Sequence, residues 1–143
     1  MINVRIKKLR PDILTPVYKT DGSAGCDIHS SENAIVQPGT TTLVPTGLFL
    51  EVPEGYECQV RARSGLALKG VTVFNGSGTV DSDFRGEMKI LLYNASTWPF
   101  KVNKDDRIAQ MVFAPVTRAK FEECSELSKT ERGEGGWGST GVK

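Results

Sequence analysis

Apolar and polar residues alternate through most of the chain. Ile2, Val4 and Ile6 begin the pattern and fall on one face of an extended strand. Further short runs of the same kind lie at residues 34–37, 41–44, 47–52, 56–61, 71–74, 87–93, 100–102, 108–113 and 121–124. Turn signals stand between them, among them Gln37-Pro38-Gly39, Pro53-Glu54-Gly55 and Asn75-Gly76. Many short strands at this spacing predict an all-β domain, a jelly-roll-like barrel or sandwich. The exception is Ser64-Gly65-Leu66-Ala67-Leu68-Lys69-Gly70, which reads as one or two helical turns capped by Ser64 and ended by Gly70. A helix that starts there directs free backbone N–H groups past Arg63, an arrangement suited to an anion.

Composition narrows this picture. At 143 residues, 38% hydrophobic and 24% charged, the chain has the size and balance of one globular domain. No apolar run approaches the ~20 residues of a membrane-spanning helix. The first residues lack the apolar block of a signal peptide, so a cytoplasmic location and no membrane partner are expected. The net charge of +1 gives no general field for a nucleic acid polymer, so a polyanion would have to bind at a local site. Cys26, Cys58 and Cys124 are an odd count without paired spacing, which reads as reduced thiols. A zinc site would need His29 to converge with distant cysteines, and a serine–histidine hydrolase would rest wholly on the same residue.

Two segments carry denser chemistry. Asp81-Ser82-Asp83-Phe84-Arg85-Gly86 opens like a calcium loop, but Arg85 stands at the fifth ligand position and Leu92 where a bidentate glutamate is needed. It is either a polar corner or the seat of an aspartate base on a rigid β scaffold. Residues 128–143 are polar and glycine-rich and cannot bury enough apolar surface to fold alone. They divide from a β domain at 1–127 as a flexible arm. Arg132, Ser139 and Thr140 are phosphate-binding types, and Trp137 stands among glycines with no core to join. No lysine follows those glycines, so the arm is not a Walker loop.

In order along the chain, five segments resemble the motifs of the trimeric dUTPase family. They are Ala24-Gly25-Cys26-Asp27-Ile28; Arg63-Ser64-Gly65-Leu66-Ala67; Gly78-Thr79-Val80-Asp81-Ser82-Asp83-Phe84-Arg85-Gly86-Glu87; Asp106-Arg107-Ile108-Ala109-Gln110; and the arm at 132–141. The resemblance spans almost the whole chain. It implies a jelly-roll homotrimer that hydrolyses dUTP to dUMP and pyrophosphate. Each active site would take motifs one, two and four from one chain, motif three from a second and the arm from a third.

By the same resemblance, Asp81 would orient and deprotonate the water that attacks the α-phosphorus. Mg²⁺ would be held by the triphosphate and by waters, with Asp27 acting through those waters rather than as a direct ligand. Arg63, Ser64, the Gly65 amide and Gln110 would bind phosphate oxygens. Arg132, Gly138, Ser139 and Thr140 would hold the terminal phosphate as the arm closes. A hairpin at 75–84 would read the uracil through the backbone of Gly78 and Val80 and the side chain of Asn75. Phe84 would pack under the deoxyribose, and Trp137 would cover the base. Three positions depart from the family's usual residues: Phe84 replaces tyrosine, Trp137 replaces phenylalanine, and Cys26 stands where tyrosine is common. Packing is the expected role of Cys26 and of His29. The competing readings are a dCTP-deaminase-like enzyme, which uses a glutamate base, and a non-catalytic nucleotide-binding module on the same fold.

Overall fold

The computed structural model describes residues 1–76, 78–137, 139 and 141. Among the described residues, ten strands and one short helix follow one another. They are β1 (Arg5–Lys8), β2 (Cys26–His29), β3 (Ala34–Val36), β4 (Thr41–Glu51), β5 (Tyr56–Arg61), α1 (Ser64–Ala67), β6 (Val71–Val73), β7 (Gly78–Val80), β8 (Glu87–Asn94), β9 (Phe100–Val102) and β10 (Arg107–Pro115). Two four-stranded sheets, in the orders β1-β4-β8-β6 and β2-β10-β5-β7, carry the domain, and β3 and β9 form a small third sheet. Every pairing is antiparallel.

Period-two alternation explains the core. In β8, Met88, Ile90 and Leu92 turn inward and are buried, while Lys89 faces out. They meet Val44, Leu48 and Leu50 of β4 and, from the other sheet, Val60, Ile108 and Met111 in one continuous cluster. This two-sheet architecture is the all-β sandwich the alternation predicts.

Several local expectations are corrected. The runs at 41–44 and 47–52 are one strand, because Pro45-Thr46-Gly47 forms a bulge rather than a turn. The β4–β8 register shifts between Pro45 and Leu48, and Gly47 sits at φ 68°. Ser64 does not cap α1. Arg63 is the N-cap, in an extended conformation and without a side-chain cap bond. Residues 121–124 form no strand, and Phe121 is 93% exposed, because nothing in the chain pairs with them. The segment 75–84 is not a simple hairpin: β6 pairs with β8 in one sheet and β7 with β5 in the other, so the intervening turn crosses between sheets. Among the described residues no helix is long and apolar enough to cross a membrane.

Candidate functional site

The order β2-β10-β5 brings three of the motifs side by side. Gln110 of β10 lies opposite Asp27 of β2 on one side and Arg61 of β5 on the other. Two residues beyond Arg61 the chain reaches Arg63 and enters α1. The carboxylate of Asp27 is buried, and its two oxygens are divided between two cations. Oδ1 lies 3.1 Å from Nε of Arg63 and Oδ2 3.1 Å from Nη1 of Arg107. Nη1 of Arg63 also donates to the backbone oxygen of Arg107 at 3.0 Å, and Nε2 of Gln110 donates to the oxygen of Ala62 at 2.9 Å. The amides of Leu66 and Ala67 both bond back to the Arg63 oxygen. Those of Ser64 and Gly65 donate to no backbone carbonyl among the described residues, as expected for the first turn of a helix. Gly25 borders the cluster: a Cβ there would stand 2.6 Å from Oε1 of Gln110, so the glycine makes room for that side chain.

A second group lies around β7. Asn75, Gly78, Val80, Asp81 and Phe84 line a cleft of about 300 Å³ floored by Val60 and Ile90. That is the small end of ligand-sized cavities. The Phe84 amide donates to the Asp81 oxygen, and Nη1 of Arg85 bonds the oxygens of Ser82 and Phe84 at 2.7 and 2.9 Å, so the corner is braced. The Asp81 carboxylate is exposed and forms no hydrogen bond or ion pair among the described residues. Two glycines again leave space. A Cβ on Gly78 would stand 2.8 Å from Nδ2 of Asn75, and one on Gly86 would stand 2.6 Å from Cζ of Phe84.

These two groups do not meet within one chain. The β5–β7 register pairs Cys58 with Val80 and Val60 with Gly78, which continues to place Asp81 beside Glu57. From the level of Glu57, β5 runs on to Arg61 and the chain continues to Arg63 at the start of α1, six residues on, a reach of up to about 20 Å at ~3.3 Å per residue. The arm stands apart from both. Trp137 is fully exposed, Nε of Arg132 bonds the oxygen of Gly135, and the Ser139 amide bonds the oxygen of Gly136. Gly138 and Thr140 lie outside the described residues.

The family model described as dUTPase matches residues 12–141. The chain belongs to the dUTPase family. Curated relatives agree along nearly the full length. The Nautilia profundicola deoxyuridine 5'-triphosphate nucleotidohydrolase is 53% identical over 98% of this chain and 99% of its own. The Helicobacter pylori protein of the same name is 49% identical over 99% and 98%. Staphylococcus bacteriophage 80alpha dUTPase with dUPNHPP, 24% identical, superposes with a TM-score of 0.91 over 99% of this chain and 100% of that one, which shows the shared dUTPase fold. A mutant dUTPase from phage phi11, solved for the coordination of a structural Mg(II) ion, superposes at 0.80 with 20% identity over 88% and 99%.

His29 takes no part in either group. It sits on β2 opposite Arg107, its Nδ1 is buried without a hydrogen-bond partner among the described residues, and burial pushes its pKa below the ordinary value. Cys26 and Cys58 are core residues, and burial pushes the Cys58 thiol up to about 12. The residue that sequence reasoning missed is Arg107. It stood inside motif four without a role. The signal was an arginine three positions before Gln110 on the strand beside Asp27, which becomes readable only once the β2–β10 register is known.

Proposed function

We propose that one active site is built from the Asp27–Arg63–Gln110 group of one chain and the Asp81 corner of another. As a dUTPase, the chain is an enzyme that hydrolyses dUTP to dUMP and pyrophosphate. The observation that carries the shared-site reading is the β5–β7 register, which puts Asp81 beside Glu57, six residues and up to about 20 Å of extended chain from Arg63. A base must come within hydrogen-bond reach of the water it activates, and that water must lie in line with the phosphorus the arginine holds. No rotation of side chains closes such a gap. A symmetric homotrimer in which neighbours offer complementary faces closes it three times over.

In that site Asp81 accepts the proton of the attacking water. Its carboxylate has no competing partner among the described residues and stands on a corner fixed by Arg85. Arg63, the free amides of Ser64 and Gly65, and Gln110 neutralise and orient the phosphate oxygens. Arg132, Gly138, Ser139 and Thr140 hold the terminal phosphate when the arm closes, which excludes bulk water. The cleft at β7 takes the uracil. The backbone of Gly78 and Val80 and the side chain of Asn75 face its edge, Phe84 packs against the deoxyribose, and Trp137 covers the base. Rejection of cytosine follows from donors left facing donors, which costs more than a steric misfit.

The donor set fits Mg²⁺ bound mainly through substrate. Among the described residues no three His, Cys, Asp or Glu side chains gather into a cage, and Asp27 accepts a hydrogen bond from Arg107 on one oxygen and faces Arg63 in an ion pair on the other. A lone carboxylate of that kind suits contact through water rather than direct ligation. The ion, when bound with the triphosphate, supplies charge neutralisation at the phosphate oxygens.

The test is pyrophosphate release from dUTP, dCTP, dTTP and UTP with Mg²⁺, run beside Asp81→Asn. Rapid release from dUTP alone, abolished in the variant, is expected. Undiminished turnover by Asp81→Asn would remove the base from the mechanism.

A further inference from the structure

We propose that Arg107 is a positioning residue that holds Arg63 in its phosphate-binding orientation, acting through Asp27 and through its own backbone carbonyl. This rests on the dUTP-hydrolysing site described above and adds a residue to it.

The β2–β10 ladder shifts register between Arg107 and Ala109, and both Ile108 and Ala109 are buried. Such an irregularity re-aims a side chain next to it. Arg107 lies at this shift, and its guanidinium reaches Oδ2 of Asp27. The consequence falls on Arg63. A carboxylate and a guanidinium left to themselves favour a two-pronged fork, with two parallel N–H···O bonds. Here that fork does not form. Arg107 donates a hydrogen bond to Oδ2, whereas Arg63 meets Asp27 as an ion pair, Nε to Oδ1 at 3.1 Å, with no hydrogen bond between those two side chains among the described residues. Nη1 of Arg63 bonds instead to the Arg107 backbone oxygen. A hydrogen bond to β10 and an ion-pair contact to β2, made by different nitrogens, hold the guanidinium in place. Among the described residues the hydrogens on Nη2 and the second on Nη1 make no hydrogen bond, which leaves them to an oxygen ligand.

Removing the Arg107 side chain reverses this. The Asp27 side chain is only 11% exposed, so its freed oxygen has little water to turn to. Arg63 would swing to satisfy both oxygens and spend on Asp27 the N–H groups it otherwise presents to phosphate. The loss would be felt through Arg63, not through any contact of Arg107 with substrate.

The experiment measures kcat/KM for pyrophosphate release from dUTP, with melting temperature alongside, for the full chain and for Arg63→Ala, Arg107→Ala, Arg107→Lys, Arg107→Gln and the Arg63→Ala/Arg107→Ala double variant. Arg107→Ala is expected to lose on the order of tenfold to a hundredfold, the scale of a misplaced binding group. The double variant should be no worse than Arg63→Ala alone within about twofold, because the two act as one unit. Arg107→Lys, which can still occupy Oδ2, should recover part of the loss. If Arg107→Ala melts early, the comparison is decided by Arg107→Gln, which keeps a neutral donor and should show the loss at an unchanged melting temperature. Losses that multiply in the double variant would mean an independent phosphate contact and would overturn the proposal. So would folded Arg107 variants as active as the parent. A parent chain that releases no pyrophosphate from dUTP would instead sink the underlying site.

Discussion

Gly86→Ala is a small change with a calculable reach. The new Cβ would stand 2.6 Å from Cζ and 2.9 Å from Cε2 of Phe84, where carbon atoms at rest sit at about 3.5–4.0 Å. The ring must therefore withdraw by about 1 Å. Phe84 is 43% exposed, so it can move without tearing the core, and an off-rotamer ring costs roughly 0.5–1.5 kcal/mol. Gly86 does not occupy the left-handed region, so alanine adds no backbone strain and reduces the entropy of the unfolded chain by about 0.4–1 kcal/mol. These terms nearly cancel, and the melting temperature should move by no more than about 4 °C. The effect on function should be larger. If Phe84 packs under the deoxyribose and excludes a 2′-hydroxyl, a 1 Å withdrawal opens space for that oxygen. The dUTP-to-UTP ratio of kcat/KM should fall about tenfold or more, the scale of a methylene-sized misfit. Steady-state pyrophosphate release on both nucleotides, with a melting curve, reads both quantities. A stable Gly86→Ala enzyme that discriminates as sharply as the parent would refute the role given to Phe84.

Three further outcomes are expected. Deletion of residues 128–143 should leave a folded, oligomeric protein with little activity, by melting curve, size-exclusion chromatography and dUTP turnover; a chain that unfolds on deletion would make the arm structural. His29 has a folded pKa held below its unfolded value of about 6.5, first by burial, then by Lys19 and Arg107 against the opposing Asp27 and Asp105. Its stabilising contribution is therefore complete above that value and is lost as pH falls through the folded pKa, so His29→Gln should flatten the drop in melting temperature between pH 7.5 and 5. With the Cys58 thiol pushed up to about 12 and Cys26 also buried, only Cys124 should react quickly with a thiol reagent at pH 8, and Cys124→Ser should abolish the fast phase.

The strands were legible wherever one face is apolar and the partner lies in the same chain, as in β5, β8 and β10. β2 escaped notice because Asp27 and His29 interrupt its pattern. It is nonetheless buried at Cys26, Asp27 and Ile28, although it stands at the edge of its sheet, since the charge of Asp27 is met by two arginines that lie far away in sequence. The runs at 41–44 and 47–52 read as separate because proline and glycine interrupt the pattern at a bulge as they do at a turn, and the register shift with the cross-strand bond from Thr46 to the Met88 oxygen distinguishes the two. Residues 121–124 show the opposite failure. Alternation there promises a strand, but a pattern does not say where its partner is. In the site, the individual motifs were legible and the resemblance implied their grouping, whereas the strand pairing that produces it was not. That Asp27, Arg63 and Gln110 converge while Asp81 stands up to about 20 Å of extended chain from Arg63 follows from register, which residue types alone do not fix.

A mixed-chain experiment tests the shared site most directly. Asp81→Asn and Arg63→Ala chains are each expected to be nearly inactive, the first lacking the base and the second the phosphate anchor. Co-expressed in equal amounts, they should regain about a quarter of the parent activity, because one neighbouring pair in four then joins an intact Arg63 to an intact Asp81. A mixture no more active than its two components, under conditions where mixed oligomers are shown to form, would mean that both groups come from one chain and would contradict the account.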